Sequence, residues 1–162
     1  AILISLMAIW QQMRQSTKME RAAAQRDVLD RVSQWTGVLA AQEFDEFLVG
    51  LSEYDAAGTQ TAMATDTLLY RWAFITESAL NMHRDGFFSD GTWAGIEGVM
   101  LGLLRTPGGS KWWSDAQRVL GFEVAEYLNK RLEETGKTGI SYLDISPLYR
   151  KRLLEISNAA NT

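Results

Sequence analysis

Cysteine is absent from these 162 residues. That excludes disulfides, thiolate nucleophiles, iron–sulfur clusters and cysteine-ligated zinc together, and it suits a reducing compartment. Histidine occurs once, at His83. A di-iron helical bundle needs two Glu-x-x-His motifs, and a zinc protease needs two histidines on one helix, so both are excluded. Proline occurs twice, at Pro107 and Pro147, so few backbone breaks are enforced. An excess of positive charge is also lacking. The net charge is -4, which argues against a nucleic-acid partner. Nothing in the composition calls for a metal or a cofactor.

What the chain has in quantity is apolar and aromatic residues, at 46% and 10%, with six tryptophans. At this length that is enough to bury one sizeable core. Charge is distributed unevenly. Arg14, Lys18, Arg21, Arg26 and Arg31 dominate residues 11–31, against Glu20, Asp27 and Asp30. Residues 42–90 carry Glu43, Asp45, Glu46, Glu53, Asp55, Asp66, Glu77, Asp85 and Asp90, against Arg71 and Arg84. A chain that is basic near its start and acidic in its middle is electrically polar, and it can be oriented by a membrane or a partner.

Residues 1–10, AILISLMAIW, contain a single polar side chain, Ser5. Ten helical residues cover about 15 Å, half of a hydrocarbon core of about 30 Å, so the run cannot span a bilayer unaided. It is expected to be the end of a transmembrane helix, with Trp10 at the interface and Arg14 and Lys18 on the cytoplasmic side.

Helical periodicity runs through the rest. Ala24, Val28, Val32, Trp35 and Leu39 recur at spacings of three and four, and nothing breaks a helix before Gly37. Further helices are expected over residues 41–55, 60–84, 92–105, 111–134 and 147–157. Their stops are Gly58, Gly86, the Pro107-Gly108-Gly109 run and Gly136, and Ser146-Pro147 supplies a cap and first turn. Ser110 is the expected cap of the 111–134 helix. No segment shows sustained two-residue alternation. The expected fold is all-α, a bundle of five to six helices with a long membrane-proximal first helix. Residues 1–10 would be the membrane end, 11–135 the bundle and 136–162 a C-terminal extension.

Motifs that carry chemistry fail on context. Gly136-Lys137-Thr138 lacks the glycine a phosphate-binding loop needs at position 131, where Arg131 stands, and no strand precedes it. His83 has no Gly-x-Ser-x-Gly partner and sits near a helix C-terminus, where a histidine complements the helix dipole. No catalytic residue is therefore expected. Tyr70, Glu77, Asn81 and Arg84 share one stripe of the third helix and, with Trp93, form a candidate pocket or polar seam. Gly91, Gly95, Gly98 and Gly102 line one side of the fourth helix, an arrangement that permits close backbone approach. Adjacent residues on a helix point about 100° apart, so Trp113 is expected inside and Trp112 nearer the surface. Trp10 and Trp112 are accordingly candidate interface residues.

The run Gln11-Gln12-Met13-Arg14-Gln15-Ser16-Thr17 follows an apolar helix. Tyr70-Arg71, Glu77, Gly86-Phe87, Trp93, Pro107-Gly108, Lys111-Trp112-Trp113 and Phe122 come later. Over residues 1–132 this pattern resembles an uncharacterised bacterial family of small helical proteins with an N-terminal membrane helix. The resemblance implies a fold and an inner-membrane location with the domain on the cytoplasmic side, and it nominates no catalytic residue. The expected function is a membrane-anchored, non-enzymatic interaction or accessory module, a small subunit of an inner-membrane complex with a protein partner or a second copy. The alternative is a small-molecule or lipid-binding domain with its pocket near Tyr70, Glu77 and Trp93. Residues 136–162 depart from the family's ending and are expected to dock on a partner.

Overall fold

A computed structural model describes residues 2–38 and 42–160. The side chains of residues 1–6 and 8, most of the apolar run, lie outside the described set, as do those of 38–43, 137 and 160–162. The described residues contain no strand. Seven α-helices follow one another: α1 (Ile2–Val38), α2 (Gln42–Ser52), α3 (Thr59–Arg84), α4 (Asp90–Leu104), α5 (Pro107–Ala116), α6 (Phe122–Thr135) and α7 (Pro147–Ala160). Short 3-10 turns, Gly136–Thr138 and Tyr142–Asp144, link the last two.

The all-α expectation holds, but the count of five to six is corrected to seven among the described residues. The single helix expected over residues 111–134 is two helices. The supposed stop of the 92–105 helix, Pro107-Gly108-Gly109, is the first turn of α5. Thr106, not Ser110, caps it. The fully buried Thr106 hydroxyl accepts from Gly109 N at 2.9 Å and donates to the Leu103 carbonyl at 2.7 Å, and Pro107 takes the first helical position. The two glycines serve packing rather than flexibility. A Cβ on Gly108 would overlap the Gly50 carbonyl oxygen of α2, and one on Gly109 would overlap the Leu103 carbonyl oxygen.

α5 ends because tertiary contacts pull the chain away. Leu120 turns into the core, and Gly121 N donates to the α3 carboxylate of Glu77 at 3.1 Å. Asn129 of α6 closes the corner, accepting from Trp113 Nε1 and donating to Gln117 Oε1, each at 2.8 Å.

The core gathers Val28 and Trp35 of α1, Phe47, Leu48 and Leu51 of α2, Leu69 and Trp72 of α3, Met100 and Leu103 of α4, and Leu128 of α6. Each large apolar side chain fully buried contributes about 1.5–3 kcal/mol. α3 runs through the middle, packing on α1, α2, α4 and α5. Residues 138–159 of the C-terminal extension lie against the chain's own bundle. Tyr142 and Tyr149 stack at 5.5 Å, Tyr149 meets Phe44 edge-on, and Arg152 grips Asp45 of α2 at 2.6 and 2.8 Å.

The glycine side of α4 behaves differently from expectation. Of the four glycines, Gly102 alone meets a neighbouring backbone, Tyr142 N at 3.5 Å from its ideal Cβ. Gly91, Gly95 and Gly98 have nothing within 4 Å. Small residues here leave a bare helix surface, not a helix crossing.

α1 divides into two halves. Its C-terminal half is bound to α3 through Val28, Trp35 and the Trp35 Nε1 hydrogen bond to the Leu68 carbonyl at 3.1 Å. Its first contacts with the bundle are Arg21 over the Phe87 ring and Gln25 on the Phe87 carbonyl. Every residue from 9 to 23 is exposed. Among the described residues no helix is long and apolar enough to cross a membrane.

Candidate functional site

Three turns of α3 separate Tyr70 from Asn81, and the structure spreads the sequence-predicted site residues over three environments. Tyr70 lines an open cleft of about 650 Å³ between α1 and α3, with Arg31 and Gln34 on one wall and Asp66, Arg71 and Phe74 on the other. Its ring stacks on Phe74 at 6.3 Å and meets Trp112 edge-on at 5.0 Å. Behind it Asp66 accepts from Trp112 Nε1 at 2.9 Å and from the Tyr54 hydroxyl at 3.5 Å. Burial, then the Asp66 charge, push the Tyr70 and Tyr54 phenols up from their ordinary value.

Glu77 is half-buried at the start of α6, where it receives Gly121 N. A carboxylate there complements the positive end of the helix dipole. Asn81 is exposed, and Arg84 pairs with Glu123 on the first turn of α6. None of Glu77, Asn81, Arg84 and Trp93 lines the cleft at Tyr70.

Trp93 is buried in a chain of polar and aromatic groups that joins α3, α4 and α6. His83 stacks on it, with centroids 5.7 Å apart and planes at 11°. Trp93 Nε1 donates to the Tyr127 hydroxyl at 3.2 Å, and that hydroxyl donates to Glu97. Arg131 grips both Glu97 oxygens, at 2.7 and 3.3 Å, and reaches Glu134 at 2.8 Å. Burial pushes the Glu97 carboxyl up, but the hydrogen bonds and charge of Arg131, with Tyr127 and Arg105, outweigh it and hold Glu97 below its usual range. The same partners push the Tyr127 phenol up, burial first.

Sequence reading passed over this cluster. Its signal was present: Glu97 is the one charged residue within residues 91–104, and a carboxylate in an apolar helix must be paired. Asp66 was also missed, since its donors lie 12 and 46 positions away.

Trp112 is corrected as an interface residue. It is 3% exposed and Trp113 is 5% exposed. Both indoles are covered because α5 is wedged between two neighbours, with Trp112 on the α3 side and Trp113 against α6. Trp10, by contrast, is 59% exposed, with the Arg14 guanidinium 5.0 Å above its ring.

Chemically, both carboxylates are engaged. Glu97 takes three hydrogen bonds from Tyr127 and Arg131, and the half-buried Asp66 takes two from Trp112 and Tyr54, an arrangement that holds helices together. His83 lies 3.4 Å from the Phe88 carbonyl and 3.9 Å from Asp90, and no hydroxyl is hydrogen-bonded to it among the described residues. No group of three or more His, Asp or Glu is placed to hold a metal ion among those residues. Comparison with known proteins found no matching family model, no similar curated protein and no similar solved structure.

Proposed function

We propose that this chain is a non-enzymatic interaction or accessory module held at a membrane through α1, as a small subunit of a bacterial inner-membrane assembly with its bundle on the cytoplasmic side. The observation that carries the reading is the exposed first half of α1. Residues 9–23 touch no other helix closely enough to be covered, yet they include Ile9 at 52%, Trp10, Met13 and Met19. Isolated exposed apolar residues are ordinary, but a projecting helix that carries several needs a partner to cover them. The resemblance of residues 1–132 to small membrane-anchored bacterial proteins supports the location. The consumption of Glu97 and Asp66 in structural hydrogen bonds supports a role without catalysis.

The test is fractionation of the native protein followed by purification in mild detergent. The chain is expected in the membrane fraction, accompanied by stoichiometric protein partners. Recovery in the supernatant at both low and high salt would overturn the reading. A second reading, a small-molecule or lipid-binding domain, is favoured by the cleft beside Tyr70. A small molecule retained through purification and released by Tyr70→Ala would move that reading to first place.

A further inference from the structure

We infer that the exposed half of α1 is a seat for anionic lipid headgroups. This rests on the membrane-attachment reading above and names the surface that α1 takes. Trp10, Arg14 and Lys18 follow at spacings of four, so one exposed stripe of α1 is basic and begins with an indole, and Arg21 ends it where the helix meets the Phe87 ring. Ile9 and Met13, four apart, form the neighbouring apolar stripe, and both are exposed. No acidic residue occurs before Glu20.

Apolar and basic stripes side by side on an exposed helix are what a headgroup seat requires. The apolar side chains enter the headgroup boundary. The long basic side chains lie along them and extend their charges to the phosphates. The Arg14 guanidinium over the Trp10 ring already sets the cation and the indole at one depth. The acid-rich residues 42–90 are repelled by the same surface.

A second copy of the chain fits less well. Two such helices pairing through this stripe would oppose like charges with no acid before Glu20 to answer them. The acidic bundle of another copy would satisfy the bases but leave Ile9 and Met13 uncovered.

The experiment is vesicle flotation of the 162-residue chain. One set of vesicles is phosphatidylcholine alone, and the other contains phosphatidylserine as about a third of its lipid. Binding is expected to the anionic vesicles at low salt and to be largely lost at about 0.5 M salt. Arg14→Gln with Lys18→Gln should weaken it roughly thirty-fold, each base near the surface being worth roughly five-fold. Both positions are exposed, so circular dichroism should show unchanged helix content. Equal binding to both vesicle types would overturn the anionic preference and leave membrane attachment standing. Binding to neither, with a dimer that the double substitution dissolves, would overturn the lipid seat and assign α1 to a second copy.

Discussion

Trp10 and Trp112 are the same side chain in opposite circumstances. Trp10 stands on a helix with no neighbour to cover it and has only Arg14 over its ring. Trp112 sits against Tyr70 with its Nε1 on Asp66, in the region where α2, α3 and α5 approach so closely that glycine is required. Gly50 leaves room for the Thr65 side chain, and Gly108 leaves room for Gly50. The difference teaches where this molecule spends its apolar surface. The α2–α3–α5 junction is saturated, and any atom added or removed there must be felt. Residues 9–20 of α1 are unsaturated, and they contribute nothing to the fold that a polar residue would not.

Substitutions can break that comparison. The largest losses are expected for Trp112→Ala and Trp113→Ala, each about 3–5 kcal/mol for a buried indole. Denaturant unfolding should show the two to be similar, and a small loss at Trp112 would mean that its side of α5 is open. Next comes Gly108→Ala, about 3 kcal/mol, since the new methyl meets backbone on α2 and not a side chain that can rotate. A neutral result in thermal melts would show that α5 can slide.

A smaller effect is tied to pH. Glu97 is held below its ordinary carboxylate value in the fold, so its contribution to stability is full above the unfolded value and fades as pH falls through the folded one. Stability should therefore drop between about pH 5 and pH 3, with Asp45, which Arg152 also holds low, sharing the drop. Glu97→Gln should be less stable at neutral pH and should flatten part of that slope. An unchanged slope would assign the acid sensitivity elsewhere. The smallest effect is expected for Trp10→Ala, within about 0.5 kcal/mol. A loss comparable to Trp112→Ala would show that α1 folds back on the bundle in solution.

The parts of this architecture legible in the sequence are those set by local rules. The unbroken helix up to Gly37, the caps at Ser146-Pro147 and the all-α class follow from periodicity and breaker residues. The errors lie where distant contacts decide. Pro107-Gly108-Gly109 reads as a stop by local chemistry, and nothing nearby says that α2 will press on those glycines. The break before α6 depends on Glu77, 44 positions upstream of Gly121. A spacing argument put Trp112 outside because it assumed that α5 has one buried side, whereas α3 and α6 cover two. The candidate site was legible only as a stripe. That Tyr70, Glu77 and Trp93 face different neighbours follows from how α1, α5 and α6 approach α3, which no spacing on α3 alone encodes.

α1 also has a mechanical meaning. No glycine or proline interrupts it between Ile2 and Thr36, so it has no built-in hinge. It is a lever arm. Its fulcrum is the point where Arg21 and Gln25 rest on Phe87, and its inner end finishes at Trp35, hydrogen-bonded to the middle of α3 and 4.7 Å from the Trp72 ring. From Trp10 to the fulcrum is about 16 Å, and from the fulcrum to Trp35 is about 21 Å. A tilt imposed on the exposed end is therefore delivered, slightly magnified, to the indole pair at the centre of the core.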